Sequence, residues 1–407
     1  MSHCVFFEKK KTQCAGLPFP LFFLSRLDRT RQEKRAPLHP SCKKQQLSRK
    51  HTTKQIMKLK IALLSGDGIG PEVTQQATAV LNKVAKVFNH NFTFVKALVG
   101  AIAIDKTGNP LPDETITICK NADAILFGAI GDPKYDNNPD AKIRPEQGLL
   151  KLRKELGLFA NIRPIQAYKT LLNKSPLKQE IIEGVDMVIY RELTGGIYFG
   201  EKKLSADGKT ASDLCEYHEY EIERMAHLAF KAAQNRRNKL TLVDKANVLE
   251  TSRLWRRVVT TVSKQYPEVT LDFLFVDNAA MQMILSPKQF DVILTENLFG
   301  DIISDEGSVI GGSIGLLASA SLGTENALFE PIHGSYPQAT GKNIANPIAA
   351  ILSAALLLDH FGLFAEAQSI KNAVEISLEK GVTTPDLNAL GKYGTTDVGA
   401  FICAHII

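Results

Sequence analysis

Short apolar runs alternate with longer amphipathic stretches from Lys58 to the end of the chain. The first run, KIALLSG, is typical of a buried strand. The next stretch, GDGIGPEVTQQATAVLNKVAKVF, has apolar residues at helical spacing and Pro71 near its start. Strand-like and helix-like stretches in alternation favour a mostly parallel sheet covered by helices. The body of the chain is therefore predicted to be an α/β protein.

Polar residues follow several of the predicted strands. In open α/β sheets, ligands bind outside the carboxyl ends of the strands. The polar residues at these positions are Arg191, Lys245, Asp277, Asp301 and Asp305. They are the first candidates for a functional site.

Three glycines, Gly66, Gly68 and Gly70, lie between the first predicted strand and its helix. Their spacing does not match the dinucleotide fingerprint GxGxxG, and no GK[ST] follows that would make a P-loop. A tight turn and a close approach of the backbone to a ligand explain them equally well.

The first 56 residues differ from the rest of the chain in charge. They carry 13 Lys and Arg against 3 Asp and Glu, whereas residues 57–407 carry 36 against 40. The overall charge of +6 therefore comes from this segment, and no nucleic acid is expected as a partner of the mildly acidic body.

The same 56 residues show neither strand alternation nor a helical stripe, and they are predicted to form a disordered basic extension. The apolar run at 17–24 contains two prolines and is too short to span a membrane. An organellar transit peptide is one explanation of the segment. Non-native sequence translated upstream of a start at Met57 is the favoured one.

The cysteines predict neither a disulfide framework nor a zinc site. Six are present and none is spaced as CxxC. A reducing, cytoplasmic location is expected.

Acidic residues predict a metal site. Asp301 and Asp305 lie one helical turn apart in NLFGDIISDEG, where like charges repel, so a positive partner is expected between them. Each aspartate taken alone is better explained as a helix cap or a salt-bridge partner. Together with Asp277, and with no His or Cys cluster, they form the oxygen donor set that Mg²⁺ or Mn²⁺ prefers.

Three arginines are candidates for binding an anion. Arg191 ends an apolar strand, Arg163 precedes a proline, and Arg153 lies in the helical stretch GLLKLRKELG. An exposed helix position would also explain Arg153, but a guanidinium at a strand end is better explained by bidentate recognition of a carboxylate. Arginines beside a metal ion predict a small polyanionic substrate, such as a dicarboxylic acid.

Lys245 and Tyr198 are candidates for proton transfer. A lysine near other cations has a lowered pKa and can act as a base, and a tyrosine can donate a proton. An ion pair of Lys245 with Asp244 or another carboxylate, and a core position for Tyr198, are equally compatible with the sequence.

A long polar loop, EPIHGSYPQATGKNIANP, covers residues 330–347. His333 by itself is more often a structural histidine than a catalyst. A glycine-rich loop with His, Ser and Asn nevertheless suits a nucleotide that is held by backbone and side-chain contacts.

Together these motifs resemble the metal-dependent β-decarboxylating dehydrogenases, the isocitrate/isopropylmalate dehydrogenase family, across residues 57–407. GDGIGPE, RELTGGIYFG, DKANVL, NLFGDIISDE and EPIHGS with IANP occur in the order of that family. The resemblance implies a fold that is not the Rossmann fold, with two domains that share a central mixed sheet. Residues 57–158 and 312–407 would form the cofactor domain. Residues 159–311 would form the substrate, metal and dimerisation domain, with a β-arm.

The resemblance also implies a homodimer with active sites shared between subunits. The substrate carboxylates would be bound by Arg153, Arg163 and Arg191. Mg²⁺ or Mn²⁺ would be held by Asp301, Asp305 and the partner subunit's Asp277, which also lies at the substrate. The partner subunit's Lys245 would be the base, and Tyr198 the acid.

Substrate and cofactor choice follow from further matching positions. Glu146, Leu149, Leu150 and Val248 stand where the family reads the substrate's variable group. Leu149 and Leu150 would make an apolar wall there. Such a wall implies a branched alkyl substituent, since desolvating a carboxylate is costly. Tartrate and D-malate enzymes are the nearest alternatives.

NAD is the expected cofactor. The positions that match the cofactor loop are His333, Gly334, Ser335, Gln338, Ala345 and Asn346. Gln338 replaces the acid that usually binds the ribose hydroxyls in NAD-specific members, so the preference over NADP is weakened.

Overall fold

The computed structural model describes residues 56–136 and 142–407. The predicted extension, residues 1–56, lies outside the described residues except for Ile56. The strands along the described ranges are β1 (Lys58–Gly66), β2 (Asn91–Lys96), β3 (Ala124–Ala129), β4 (Ala160–Gln166), β5 (Asp186–Glu192), β6 (Lys202–Leu204), β7 (Ala211–Asp213), β8 (Lys239–Asp244), β9 (Thr270–Phe275), β10 (Val292–Thr295), β11 (Ala318–Leu322) and β12 (Ala327–Pro331).

Helices alternate with these strands for most of the chain. They are α1 (Gly70–Phe88), α2 (Ala101–Thr107), α3 (Asp113–Lys120), α4 (Pro133–Asp136), α5 (Pro145–Glu155), α6 (Gln179–Ile182), α7 (Glu219–Gln234), α8 (Glu250–Ser263), α9 (Val276–Leu285), α10 (Asn297–Ser308), α11 (Ile348–His360), α12 (Phe364–Glu379) and α13 (Thr395–Ala404). Within these described residues, no helix is both long enough and apolar enough to cross a membrane.

Ten strands form one sheet in the order β2-β1-β3-β12-β11-β4-β5-β10-β8-β9. Strand pairs are parallel towards both edges and antiparallel at the centre, where β12, β11, β4 and β5 are neighbours. The predicted α/β class and mixed central sheet are confirmed. β4, β5, β8, β9 and β10 come from the middle of the chain and occupy one half of the sheet, whereas strands from both chain ends occupy the other.

Apolar clusters cover both halves of the sheet. One packs α1, α11, α12 and α13 on the strands from the chain ends and includes Val73 and Leu357. Another packs α7 and α8 on β8 and β10 and includes Phe230 and Trp255. Strands buried on both faces are apolar throughout, as in AILFGA of β3.

The register of β5, β10 and β8 brings the candidate residues to one edge of the sheet. Thr295 of β10 lies opposite both Arg191 and Val243. The residues that follow these strands therefore stand side by side, with α10 beginning next to Arg191 and Lys245 just beyond β8.

Candidate active site

Two arginines lie against the two aspartates of α10. The Nη1 atom of Arg191 donates to Oδ1 of Asp301, and Nη1 of Arg163 donates to Oδ1 of Asp305 at 3.1 Å. Nη2 of Arg163 also lies 3.7 Å from Asp301. The positive charge expected beside these aspartates is thus provided within the chain by two guanidinium groups.

Burial changes the pKa of Arg191 more than the neighbouring charges do. Desolvation is the largest cause that lowers its pKa, to about 10, while Asp301 raises it and Arg163 lowers it further. The group is still protonated at neutral pH. A buried, charged guanidinium at the end of β5 suits the binding of an anionic ligand.

Each of these arginines is oriented by a buried asparagine. Oδ1 of Asn297 accepts hydrogen bonds from Nε and Nη2 of Arg191 at 3.1 and 2.8 Å. Oδ1 of Asn161 accepts one from Nε of Arg163 at 2.7 Å. Gly300 leaves room for the Arg191 stem, because a Cβ there would lie 2.6 Å from its Cγ atom.

Tyr198 ends a short 3-10 turn, Gly196–Tyr198, that follows β5. Its hydroxyl donates to Oδ2 of Asp301 at 2.9 Å, and its ring is 42% exposed rather than in the core. Burial and then the bond to Asp301 raise the pKa of Tyr198, so the phenol is protonated at neutral pH and can donate.

Arg153 lies on helix α5 and lines the same cavity as Arg163. Its Nη2 atom donates to Oε1 of Glu330 at 3.0 Å. Arg153, Leu149, Arg163 and His333 line one cavity of about 150 Å³, which extends from the arginines to the loop at 330–347. The cavity therefore combines cationic groups with a leucine wall.

The other α5 candidates lie near this cavity. Oε1 of Glu146 faces Gly131, where a Cβ would be 3.0 Å from it. Leu150, on the next turn, is 47% exposed.

Lys245 and Asp277 form a pair with each other, with 2.6 Å between Nζ and Oδ1. The bond from Lys245 is the main cause that lowers the pKa of Asp277. The ion-pair alternative for Lys245 is thus realised within the chain. Val248, three residues after Lys245, is 61% exposed.

The carboxylates of α10 and Asp277 are not gathered into one cluster. Across residues 56–136 and 142–407 no group of three or more His, Cys, Asp or Glu side chains is placed to hold a metal ion. Asp301 and Asp305 are partly exposed on one helix face and can supply oxygen ligands. The exposed Asp277 lies apart from these two carboxylates, in the ion pair with Lys245.

The glycine turn after β1 holds the loop at 330–347. The backbone amide of Ile69 donates to the carbonyl of Ser335 at 2.8 Å. Gly68 has φ +56, and a Cβ there would lie 2.0 Å from the same carbonyl oxygen. The backbone of Gly68 therefore lies close to the backbone of the loop at 330–347. Asp67 stabilises the turn by accepting from the amides of Ala101 at 2.8 Å and Gly131 at 3.0 Å.

A second cavity, of about 270 Å³, opens beside this loop. It is lined by Ile69, Ser313, Ile314, Gly315, His333, Gly334, Tyr336, Ile344, Ala345, Asn346 and Asp386. Four of the predicted cofactor residues thus face it. Ser335 is buried and Gln338 is exposed on the adjoining turn, and neither lines the cavity.

His333 provides a test of whether a cofactor fits. Its Nε2 atom is buried without a hydrogen-bond partner in the chain, while Nδ1 contacts the carbonyl of Gly334 at 3.0 Å. Burial lowers the pKa of His333, so the ring is neutral. An orphaned buried nitrogen between two cavities is suited to a bond with a bound nucleotide.

Sequence reasoning missed several residues that support the site. They are Asn161, Asn297, Glu330 and Asp386. The first three stand two to four positions before a predicted residue, at Arg163, Asp301 and His333. Their nearness to those residues was the only available signal, because the side-chain contacts that give them their roles form only in the folded chain.

The chain belongs to the isocitrate/isopropylmalate dehydrogenase family, which matches residues 60–402. It is 56% identical to the 3-isopropylmalate dehydrogenase of Bacteroides fragilis (strain YCH46) over 352 residues, covering 86% of this chain and 99% of that protein. It is 54% identical to the enzyme of the same name from Bacillus subtilis (strain 168), over 84% of this chain and 94% of that one.

A solved structure gives the same result for the fold. The isocitrate dehydrogenase of Methylococcus capsulatus superposes with a TM-score of 0.77 at 33% identity, covering 86% of this chain and 99% of that chain. The protein is therefore a dehydrogenase of this family.

Proposed function

We propose that the chain oxidises and decarboxylates (2R,3S)-3-isopropylmalate to 2-oxoisocaproate and CO₂, with reduction of NAD⁺, in leucine biosynthesis. The observation that carries the proposal is the cavity in which Leu149 of α5 stands beside Arg153 and Arg163. Guanidinium groups suit the two carboxylates of a malate, and a leucine wall suits its isopropyl group. The relatives named 3-isopropylmalate dehydrogenase support the same substrate.

Substrate binding is assigned to α5 and the sheet edge. Arg153, Arg163 and Arg191 bind the carboxylates. Glu146, Leu149, Leu150 and the partner subunit's Val248 surround the alkyl group. Leu150 and Val248 are both exposed in one subunit, and covering them with an alkyl group removes apolar surface from water.

Proton transfers are assigned to Lys245 and Tyr198. The partner subunit's Lys245 accepts the proton of the substrate's C2 hydroxyl. Tyr198 protonates the carbon from which CO₂ has left, a role that suits a phenol with a raised pKa.

Asp301, Asp305 and the partner subunit's Asp277 are the proposed ligands of Mg²⁺ or Mn²⁺. When bound, the ion supplies positive charge that acidifies the substrate hydroxyl and stabilises the negative charge that develops as CO₂ leaves. NAD⁺ would be held by His333, Gly334, Ser335, Gln338, Ala345 and Asn346, and when bound it would supply the hydride acceptor.

A homodimer with shared sites is part of the proposal. The ribbon of β6 and β7 is exposed along its whole length, and a lone two-stranded ribbon is marginally stable in water. Large apolar side chains are exposed on this segment and on α9, namely Leu204, Leu214, Met281 and Leu285. Such surface favours association of two copies.

The proposal includes the division into two domains that the family resemblance implies. Residues 57–158 and 312–407 form the cofactor domain, and 159–311 the substrate, metal and dimerisation domain. A cytoplasmic location fits three free cysteines in the described part of the chain, at 119, 215 and 403.

The reaction is tested by stoichiometry. Purified protein with 3-isopropylmalate, NAD⁺ and Mg²⁺ is expected to form NADH, CO₂ and 2-oxoisocaproate in equal amounts, and to stop when EDTA is added. NADH without CO₂ would contradict decarboxylation, and activity unaffected by EDTA would contradict the metal.

Shared sites are tested by mixing two variants that each retain only a small residual kcat. A dimer of Lys245→Met with Tyr198→Phe has one site in which both residues are intact, provided that Lys245 acts across the interface. Activity is expected to return after the two variants are unfolded and refolded together. Continued inactivity of verified mixed dimers would place both residues in one subunit.

A further inference from the structure

Asn297 is the first residue of α10 and is almost completely buried. Its Oδ1 atom accepts two hydrogen bonds from the guanidinium of Arg191, through Nε at 3.1 Å and Nη2 at 2.8 Å. Two bonds to one planar group fix its orientation. Because an amide oxygen is neutral, it orients the arginine without cancelling the charge that an anionic substrate needs.

The other atoms of Asn297 reach the segment that carries Tyr198. Nδ2 donates to the carbonyl of Gly195 at 3.2 Å, and the backbone amide donates to the hydroxyl of Tyr217 at 3.0 Å. Gly195 immediately precedes the turn Gly196–Tyr198, and it packs against the Tyr217 ring. One residue thus contacts both the end of β5 and the start of the tyrosine turn.

Asn161 provides a natural comparison. It binds Nε of Arg163 through Oδ1, but its amide donates to Ser319 at 2.8 Å and Ser321 at 3.2 Å on β11. It therefore orients a different arginine and does not contact the tyrosine turn.

We propose that Asn297 is a positioning residue that couples the orientation of Arg191 to that of the turn bearing Tyr198. This inference rests on the proposed function, in which Arg191 binds a substrate carboxylate and Tyr198 donates a proton. Removing the amide releases both groups together, so substrate binding and turnover weaken through two separable routes.

A double-mutant cycle tests the first route. The dissociation constant of 3-isopropylmalate is measured by calorimetry with Mg²⁺ present, for wild type, Asn297→Ala, Arg191→Ala and the double variant. Asn297→Ala is expected to weaken binding about tenfold in the wild-type background and to have no further effect once Arg191 is absent.

The second route uses kcat with saturating substrate. Asn297→Ala is expected to lower kcat in the wild type, and to leave the residual kcat of Tyr198→Phe unchanged. Equal fold-losses in the intact and the truncated backgrounds, in either cycle, would overturn the proposal, because they describe a residue that acts independently of Arg191 and Tyr198.

Matched variants separate positioning from loss of fold. Asn161→Ala is expected to weaken binding even in the Arg191→Ala background, since it acts through Arg163. The exposed Asn372→Ala on α12 is expected to change neither quantity. Thermal unfolding followed by circular dichroism reports the fold, and Asn297→Ser takes the place of Asn297→Ala in the same cycles if the alanine variant does not fold.

Failure of the two proposals gives different results. A folded wild type that does not bind 3-isopropylmalate removes the proposed substrate and the positioning role with it. A wild type that binds, with additive cycles, removes the positioning role alone.

Discussion

Lys245 illustrates how one side chain can have different partners in one subunit and in the proposed dimer. Within the chain it pairs with Asp277, and both groups are partly or largely exposed, so the pair adds little to stability. Solvent exposure is instead what a residue needs to reach a neighbouring subunit. In the proposed dimer, the same two residues are therefore available to the substrate and metal proposed for the partner subunit.

Lys245→Met is expected to abolish oxidation while leaving the fold intact. Loss of a general base lowers turnover by about a hundredfold or more, and removal of an exposed ion pair scarcely changes the unfolding temperature. Steady-state kinetics and circular dichroism measure both.

Lys239→Met is the matched control for that variant. Lys239 pairs with Asp272 at 3.0 Å, at the other end of β8. It is expected to retain full turnover. Retained oxidation in Lys245→Met would exclude the lysine as the base.

Glu296 is expected to make the stability of the protein depend on pH. Burial, followed by the nearby Glu192, raises the pKa of Glu296 from 4.5 to about 7. Below pH 4.5 the carboxyl is protonated in both the folded and the unfolded chain. Between that pH and about 7 only the unfolded chain releases the proton, so the free energy of unfolding falls as pH rises, by up to about 3 kcal/mol.

Glu296→Gln is expected to remove this decline. The variant should gain stability over the wild type at pH 8 and gain little at pH 4, as measured by denaturant unfolding. The exposed Glu379→Gln serves as the control. An equal effect of Glu296→Gln at both pH values would show that the carboxyl titrates normally in the fold.

Among the elements, the turn after β1 supports the loop at 330–347, which lines the cavity of about 270 Å³. Of the side chains in the turn, Ile69 lines that cavity. Gly68 lies directly under the Ser335 carbonyl, and its left-handed backbone suits glycine. The loop at 330–347 is therefore held in place by the contact between two backbones.

Gly68→Ala is expected to displace this loop and weaken NAD⁺ binding, as measured by calorimetry. Gly362→Ala is the control, because Gly362 has φ +73 and nothing within 4 Å of an added Cβ. It carries the cost of a left-handed alanine, about 1 kcal/mol, without moving the loop. Equal NAD⁺ affinity in both variants would contradict the account of the turn.

Sequence periodicity predicted the helices and strands better than it predicted which strands pair in the sheet. The strand at β1, the helix after it and the aspartates on one face of α10 follow from local patterns, and the structure has them. The antiparallel pairing of β4 with β11 joins Ala160 to Leu322 and depends on contacts far apart in sequence, which no local pattern specifies.

The same limit applies to the site. Arg191, Asp277, Asp301 and Asp305 were identified because ligands bind outside the carboxyl ends of the strands in open α/β sheets. Asn297 was not, because its role depends on which groups its amide meets in the folded chain. The partner of Lys245 was left open for the same reason.

At the scale of the whole molecule, the family match begins after the basic N-terminal segment, at residue 60. Deleting residues 1–56 is expected to leave kcat and KM unchanged, because the candidate site residues all lie between Glu146 and Asn346. Steady-state kinetics on the shortened protein measure this. A large loss of kcat would give the segment a role in catalysis.

Substrate choice depends on the apolar wall at Leu149 and Leu150. The direct measurement is NADH formation at 340 nm with Mg²⁺ and NAD⁺, comparing 3-isopropylmalate, D-malate, tartrate and isocitrate, with NADP⁺ tested in parallel. 3-Isopropylmalate with NAD⁺ is expected to exceed the others in kcat/KM by orders of magnitude. A higher kcat/KM for D-malate, tartrate or isocitrate would contradict the apolar wall at Leu149 and Leu150.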